Sequence, residues 1–200
     1  MGRPIRTHGF IFGFTALLAP VILLAACTGS SSGAALISNP RWMAGDSVTY
    51  QSIAYMAVPT FDATQGSNGF VRVGIGTIES KVVDLLAGVN HPAVVLVSGG
   101  INDAAYVGLP ETLVAMQHFE DTMTAQSIRT VWITEAVFDA WQGPVRVAFM
   151  AATNGWMLTR PFHADCGVEA TTAPGANTFD GVHPNAQGNI AYAACVDGVG

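Results

Sequence analysis

Apolar and polar positions alternate along this chain in two periods, and the periods take turns. A nearly unbroken apolar run covers Phe10 to Ala26. After a polar stretch, Trp42-Met43-Ala44 gives a short apolar run that predicts a first strand, and Val48–Ala57 places Val48, Ile53 and Met56 on an apolar helical face before Pro59 breaks it. Thr60–Thr64 predicts a second strand, followed by the Gly-rich loop Gln65–Phe70. Between Thr77 and Leu86, Ile78, Val82, Leu85 and Leu86 recur at helical spacing, with Thr77 as a candidate N-cap and Gly88 beyond the end. Pro92–Ser98 is continuously apolar, the pattern of a parallel strand covered on both faces, and runs into Gly99-Gly-Ile-Asn-Asp103, read as a turn. A helix over 110–127, a strand over 130–134 and a helix over 138–154, interrupted at Gly143-Pro144 and stopped at Asn154-Gly155, follow. Trp156–Thr159 reads as a short last strand, 161–179 as loop, and 184–196 as a last helix. Strand and helix alternate throughout, so the expected class is α/β, with a mainly parallel sheet of about five strands and right-handed crossovers.

The first apolar run changes this picture. It is 17 residues long, contains Gly13 and Pro20, and is preceded by Arg3 and Arg6 with no acid. A membrane span needs about 20 apolar residues. The run is therefore read as an export signal in preference to a transmembrane anchor. Its end, Leu24-Ala25-Ala26-Cys27, resembles the lipobox of bacterial lipoproteins. That resemblance implies acylation of Cys27 at the new N-terminus and an envelope protein anchored in a membrane by lipid. Ordinary cleavage with Cys27 incidental, and hence a secreted protein, is the alternative. Thr28-Gly-Ser-Ser-Ser-Gly33 suits a flexible tether. The expected organisation is a signal over 1–26, a tether over 27–39 and one domain over 40–200, starting near Asn39-Pro40.

The composition is half hydrophobic and only 11% charged. Without residues 1–26 the formal charge moves from −6 to about −8. An acidic domain with scattered Lys and Arg lacks the basic face that phosphate backbones require, which argues against nucleic acid as a partner. With Cys27 given to lipid by the lipobox resemblance, Cys166 and Cys195 remain as a pair in a compartment where disulfides persist. A Cys166–Cys195 bridge is expected, two free buried thiols being the alternative.

The candidate chemistry lies in the turns. Gly45-Asp46-Ser47 sits between the first strand and helix, where a serine can expose Oγ and aim its N–H at a developing oxyanion. Asp180-Gly-Val-His-Pro184 places a carboxylate three residues from an imidazole, so that Asp180 can hold Nδ1–H and leave Nε2 as a base. Asn102 follows the strongest strand and offers a side-chain amide donor. Each element also has a bland reading, as turn, N-cap or surface residue.

Taken together, Gly45-Asp46-Ser47, the loop around Gly66, Gly100-Ile-Asn-Asp103 and Asp180-Gly-Val-His-Pro184 resemble the four blocks of the SGNH/GDSL esterase–lipase family, in that family's order. Val48 stands where the family name has leucine. The resemblance implies a three-layer, flavodoxin-like α/β/α sandwich and hydrolysis of carboxylic esters. It implies Ser47 as nucleophile, His183 as base and then acid, Asp180 as its orienter, and an oxyanion hole from the N–H groups of Ser47 and Gly66 with the Asn102 side chain. Gly69 or Gly74 can replace Gly66 in that role. Asp46 is then read as a structural partner within the turn and Asp103 as turn-stabilising. No metal or cofactor is implied, and the crowded His163-Ala-Asp165-Cys166 is not taken as a ligand set. A monomer acting on a small-molecule, glycan or lipid ester is expected. A carbohydrate O-deacetylase, an O-acyltransferase and a non-catalytic surface lipoprotein are the alternatives. Phe70, Tyr106, Trp156 and Phe162 line a pocket or pack in the core, with the core favoured for Trp156; His91 and His118 are read as surface residues.

Overall fold

The computed structural model describes residues 41–72, 76–88 and 91–199, with the backbone alone at 139–142. The expectations placed on the signal, on Cys27, on the tether, on the domain start near Asn39 and on Gly74 lie outside the described residues.

Five parallel strands form one sheet in the order β2-β1-β3-β4-β5: β1 Arg41–Gly45, β2 Phe61–Thr64, β3 Val94–Val97, β4 Arg129–Ile133 and β5 His163–Ala164. Between and after them run α1 Ser47–Ile53, α2 Ile78–Leu86, α3 Ile101–Tyr106, α4 Leu109–Ala125, α5 Asp139–Leu158, α6 Cys166–Thr172 and α7 Ala186–Asp197. The period of two along the strands divides the core. Trp42, Ala44, Val95, Val97 and Trp132 face one way, against Ile78 and Val82 of α2 and Met116, Phe119 and Met123 of α4. Met43, Leu96, Val131 and Ile133 face the other, against Val48 of α1, Ala170 of α6 and Tyr192 and Val196 of α7. Helix α5 serves both layers, Phe149 and Met150 on the second face and Met157 on the first. The result is the three-layer α/β/α sandwich expected, with the flavodoxin-like strand order.

Local chemistry sets the ends of these elements. Thr77 caps α2 in a reciprocal pair with Ser80. Helix α1 is shorter than the apolar spacing predicts. The chain leaves it at Ala54, and the Asp197 carboxylate accepts the N–H groups of Ala57 and Val58 while pairing with Arg41 at 2.9 Å. Three expectations are corrected. Trp156–Thr159 is not a strand, because α5 continues through Asn154-Gly155 to Leu158. Trp156 packs edge-on against Trp132, Met157 is fully buried, and the Asn154 side chain both accepts from Glu135 N–H and donates to Glu135 C=O. The last strand is instead the two-residue β5. Residues 161–179 are not all loop, since α6 lies within them. The 101–103 turn is the first turn of the short helix α3. The Gly143-Pro144 interruption is present as a kink, with Gly143 at φ 71°.

Cys166 and Cys195 are joined in a disulfide, with Cα atoms 5.5 Å apart, that ties α6 to α7. Since α7 follows directly on the His183 loop, this bond braces the site from below.

Candidate active site

Strand β1 and strand β3 are where the strand order reverses, and the loops leaving their carboxyl ends meet there. Gly45 ends β1 where no side chain fits. A Cβ would stand 2.5 Å from Thr49 Oγ1 and 2.7 Å from the Ser98 carbonyl. Asp46 then caps α1 by accepting from Val48 N–H at 3.0 Å, and Ser47 is the first helical residue, half-buried.

Opposite Ser47, the turn before α7 presents His183. Asp180 Oδ1 accepts the backbone N–H groups of Val182 (2.9 Å) and His183 (2.8 Å), and Oδ2 lies 2.6 Å from His183 Nδ1. Gly181, at φ 84°, supplies the left-handed step that lets the carboxylate fold back. Partial burial works to raise the Asp180 pKa, but the hydrogen bonds from His183 and Val182 outweigh it and hold it at about 2. With Nδ1 engaged, Nε2 lies 2.8 Å from Ser47 Oγ. The structure thus brings Ser47, His183 and Asp180 into one hydrogen-bonded chain. Phe179, 68% exposed, stacks on the His183 ring with centroids 5.8 Å apart.

The candidate oxyanion donors gather beside Ser47. Asn102, on the first turn of α3, lines the same cavity as Ser47 and His183 and donates from Nδ2 to the Asn68 carbonyl at 2.9 Å. Gly66 lies against Ser47, where an added Cβ would be 3.9 Å from the serine Cβ. Gly69 is otherwise engaged: its N–H is spent on the Arg72 carbonyl. Asp103 does more than stabilise its own turn. Buried among them, it accepts the N–H groups of Phe70 (2.7 Å), Val71 (3.2 Å) and Arg72 (2.8 Å), locking the loop that carries Gly66 onto the helix that carries Asn102. Burial raises its pKa against those three bonds.

A buried carboxylate pair adjoins the serine, and sequence reasoning missed half of it. Asp46 and Glu135, which follows β4, are both fully buried and face each other, and the Ile101 N–H lies beside Glu135. Burial pushes both upward, and Glu135 well above the carboxylate range, since two adjacent buried charges repel. Asp46 is pulled back by its bonds from Glu135 and Val48, so Glu135 holds the proton and donates it to Asp46. The hydroxyls of Thr49, Ser98 and Tyr192 lie alongside. Asp46 is therefore a structural partner, but one reaching across three strand ends and not only within its own turn. No local signal links positions 46 and 135.

The cavity at Ser47 encloses about 280 Å³ and is lined also by Ser67, Arg72, Tyr106, Arg146 and Val182. A larger groove of about 510 Å³ between α2 and α4 holds His118, exposed and paired with Glu79, but among the described residues no hydroxyl lies against the imidazole. Of the four aromatics singled out by sequence, Phe70 is buried, Trp156 packs on Trp132, Tyr106 lines the Ser47 cavity, and Phe162 is exposed beneath Arg129. His163 and Asp165 bond separately, to Arg160 C=O and Thr134 Oγ1.

This arrangement can be set beside known proteins. A GDSL-like lipase from Bacteroides thetaiotaomicron matches 79% of this chain and 85% of its own, at 15% identity and a TM-score of 0.60. A lipolytic protein of the G-D-S-L family from Veillonella parvula matches 80% and 96%, at 10% identity and 0.64. The fold is that of the GDSL-like hydrolases. A carbohydrate esterase of family 3 from Talaromyces cellulolyticus shares it as well, over 79% of this chain and 94% of its own, at 15% identity and 0.57. No protein-family model and no curated relative matches the sequence.

Proposed function

We propose that this protein is a serine esterase that hydrolyses carboxylic esters through an acyl-enzyme. The observation that carries the reading is the unbroken chain Asp180–His183–Ser47, with its 2.6 Å and 2.8 Å contacts at the switch point of a GDSL-type fold. Ser47 Oγ attacks the ester carbonyl as His183 Nε2 takes its proton. Asp180 stabilises the imidazolium, and His183 returns the proton to the departing alcohol. A water activated by the same imidazole then releases the acid. The N–H groups of Ser47 and Gly66 and the Asn102 amide receive the oxyanion. Asn102 leaves Asn68, or uses its second N–H, to do so. The Ser47→Ala variant tests this: 4-nitrophenyl acetate turnover must fall to the background rate with the melting temperature preserved, and undiminished turnover would reject Ser47.

A glycan ester is the second substrate reading, favoured by the polar lining of the cavity. Acetate release from acetylated xylan or peptidoglycan, and transfer to an added alcohol, separate deacetylase and transferase from simple esterase. The lipobox-like Leu24–Cys27 supports export and anchoring through Cys27 in the cell envelope. Loss of the protein from the membrane fraction in a Cys27→Ala variant is the expected result, and unchanged membrane retention would refute it.

A further inference from the structure

The chain is acidic, yet the cavity at Ser47 is not. Beyond residue 40 it has six basic side chains: Arg41, Arg72, Lys81, Arg129, Arg146 and Arg160. Two have settled partners, Arg41 with Asp197 and Arg160 with Glu120. Two others, Arg72 and Arg146, line the cavity that holds Ser47, Asn102 and His183, and among the described residues no Asp or Glu lines it. Among the described residues, neither arginine makes an ion pair. Asp103 is near Arg72, but its oxygens are taken by three backbone N–H groups. Both arginines are only partly exposed.

Arg72 is also held in place. Its backbone N–H is fixed by Asp103, its carbonyl accepts from Gly69, and its guanidinium lies 3.7 Å over the ring of Tyr106, itself 70% exposed at the rim. Stacking orients the guanidinium plane at little entropic cost and leaves its edge donors free. Arg146 comes from a different element, the part of α5 just after the Gly143 kink. Two half-buried guanidinium groups from separate segments line one polar cavity, and among the described residues neither has a carboxylate partner; guanidinium groups so placed bind carboxylate or phosphate oxygens.

We infer that Arg72 and Arg146 form an anion subsite beside Ser47, so that the preferred substrate is an ester carrying a carboxylate or phosphate group near its scissile bond. This rests on the esterase reading and names the substrate class for it.

The test uses matched ester pairs. Mono-4-nitrophenyl succinate is compared with its methyl ester, which places the charge on the acyl side. 4-Acetoxybenzoate is compared with its methyl ester, which places it on the leaving group. In the wild type, kcat/KM for the charged member of at least one pair exceeds that of its neutral partner tenfold or more, mainly through KM. In Arg72→Gln/Arg146→Gln that ratio falls towards one, and each single variant lies between. Charged esters no better than neutral ones in both pairs, or a ratio untouched by the double variant, would overturn the proposal. A second measurement needs no turnover. Calorimetric titration of Ser47→Ala with benzoate and with phenyl phosphate detects binding that the two Arg→Gln substitutions abolish, and tells carboxylate from phosphate preference. Binding retained after both substitutions would also overturn it. If the wild type turns over no ester yet binds these anions through the two arginines, the esterase reading fails and the anion subsite stands.

Discussion

Glu135→Gln and Glu135→Leu should part company, and the size of the gap follows from one proton. Glu135 is fully buried beside the Ile101 N–H and gives its own proton to Asp46, which caps the helix that starts at Ser47. A glutamine keeps both contacts, its amide N–H₂ donating to Asp46 and its carbonyl lying beside Ile101 N–H. A leucine repeats neither and leaves the Asp46 carboxylate buried with Val48 N–H as its remaining donor. Breaking a buried pair in this way costs about 3–5 kcal/mol, against a total stability on the order of 5–15 kcal/mol. The pH dependence separates the two further. The Glu135 pKa is raised in the fold, so its contribution is complete below the unfolded value and is lost as pH rises towards the folded one. Over the range above the unfolded value in which the folded Glu135 keeps its proton, the wild type loses about 1.4 kcal/mol per pH unit. The glutamine variant has no such proton to take up. Urea unfolding of the three proteins at several pH values reads both effects. The expected result is a wild-type curve that falls relative to Glu135→Gln with rising pH, and a Glu135→Leu protein much less stable than either. Parallel wild-type and glutamine curves would show that Glu135 is ionised in the fold and refute the shared-proton account.

Three further outcomes are expected. Asn102→Ala should lower kcat for a neutral ester about 10²–10³-fold with little change in KM, measured by steady-state kinetics, because its amide is needed when charge develops on the carbonyl oxygen. Asp180→Asn should cost about 10³–10⁴-fold in kcat. Because the Asp180 pKa is depressed to about 2, its contribution to stability is present above the unfolded value of 3.8 and is lost as pH falls through about 2, so the melting temperatures of wild type and variant should converge only in strong acid. Replacing Cys166 and Cys195 by serine opens a link with a sequence separation of 29, worth roughly 3–4 kcal/mol, and should lower the melting temperature by on the order of 10 °C.

What sequence reading captured, and what it missed, follows the range of the interactions involved. The strands β1 to β4 and the helices α2, α4 and α7 were visible from signals within each segment, such as the apolar runs of β1 and β3 and the helical spacing of α2. Thr77 and Gly88 marked the ends of α2 for the same local reason. The end of α5 was hidden because the contacts that carry the helix through Asn154-Gly155, with Glu135 and Trp132, come from another strand. Strand β5 is too short to have a period, and α6, with the sequence Cys-Gly-Val-Glu-Ala-Thr-Thr, has little helical propensity of its own. It packs where Gly167 comes so close to Glu135 C=O that a Cβ would not fit, and the disulfide holds it to α7. At the site, Asp180 and His183 were legible because three residues separate them, and Ser47 and Asn102 because each follows a strand. Glu135, Phe179, Arg72 and Arg146 acquire meaning only when the strand ends are brought together.

The central claim is that Ser47 becomes acylated. Rapid quenching of the enzyme during 4-nitrophenyl acetate turnover, followed by peptide mass spectrometry, tests it without reference to any natural substrate. The account predicts one acetyl group on the peptide containing Ser47, accumulating within the burst and absent from Ser47→Ala. Acetyl transfer to another residue, or an equal burst in Ser47→Ala, would contradict it.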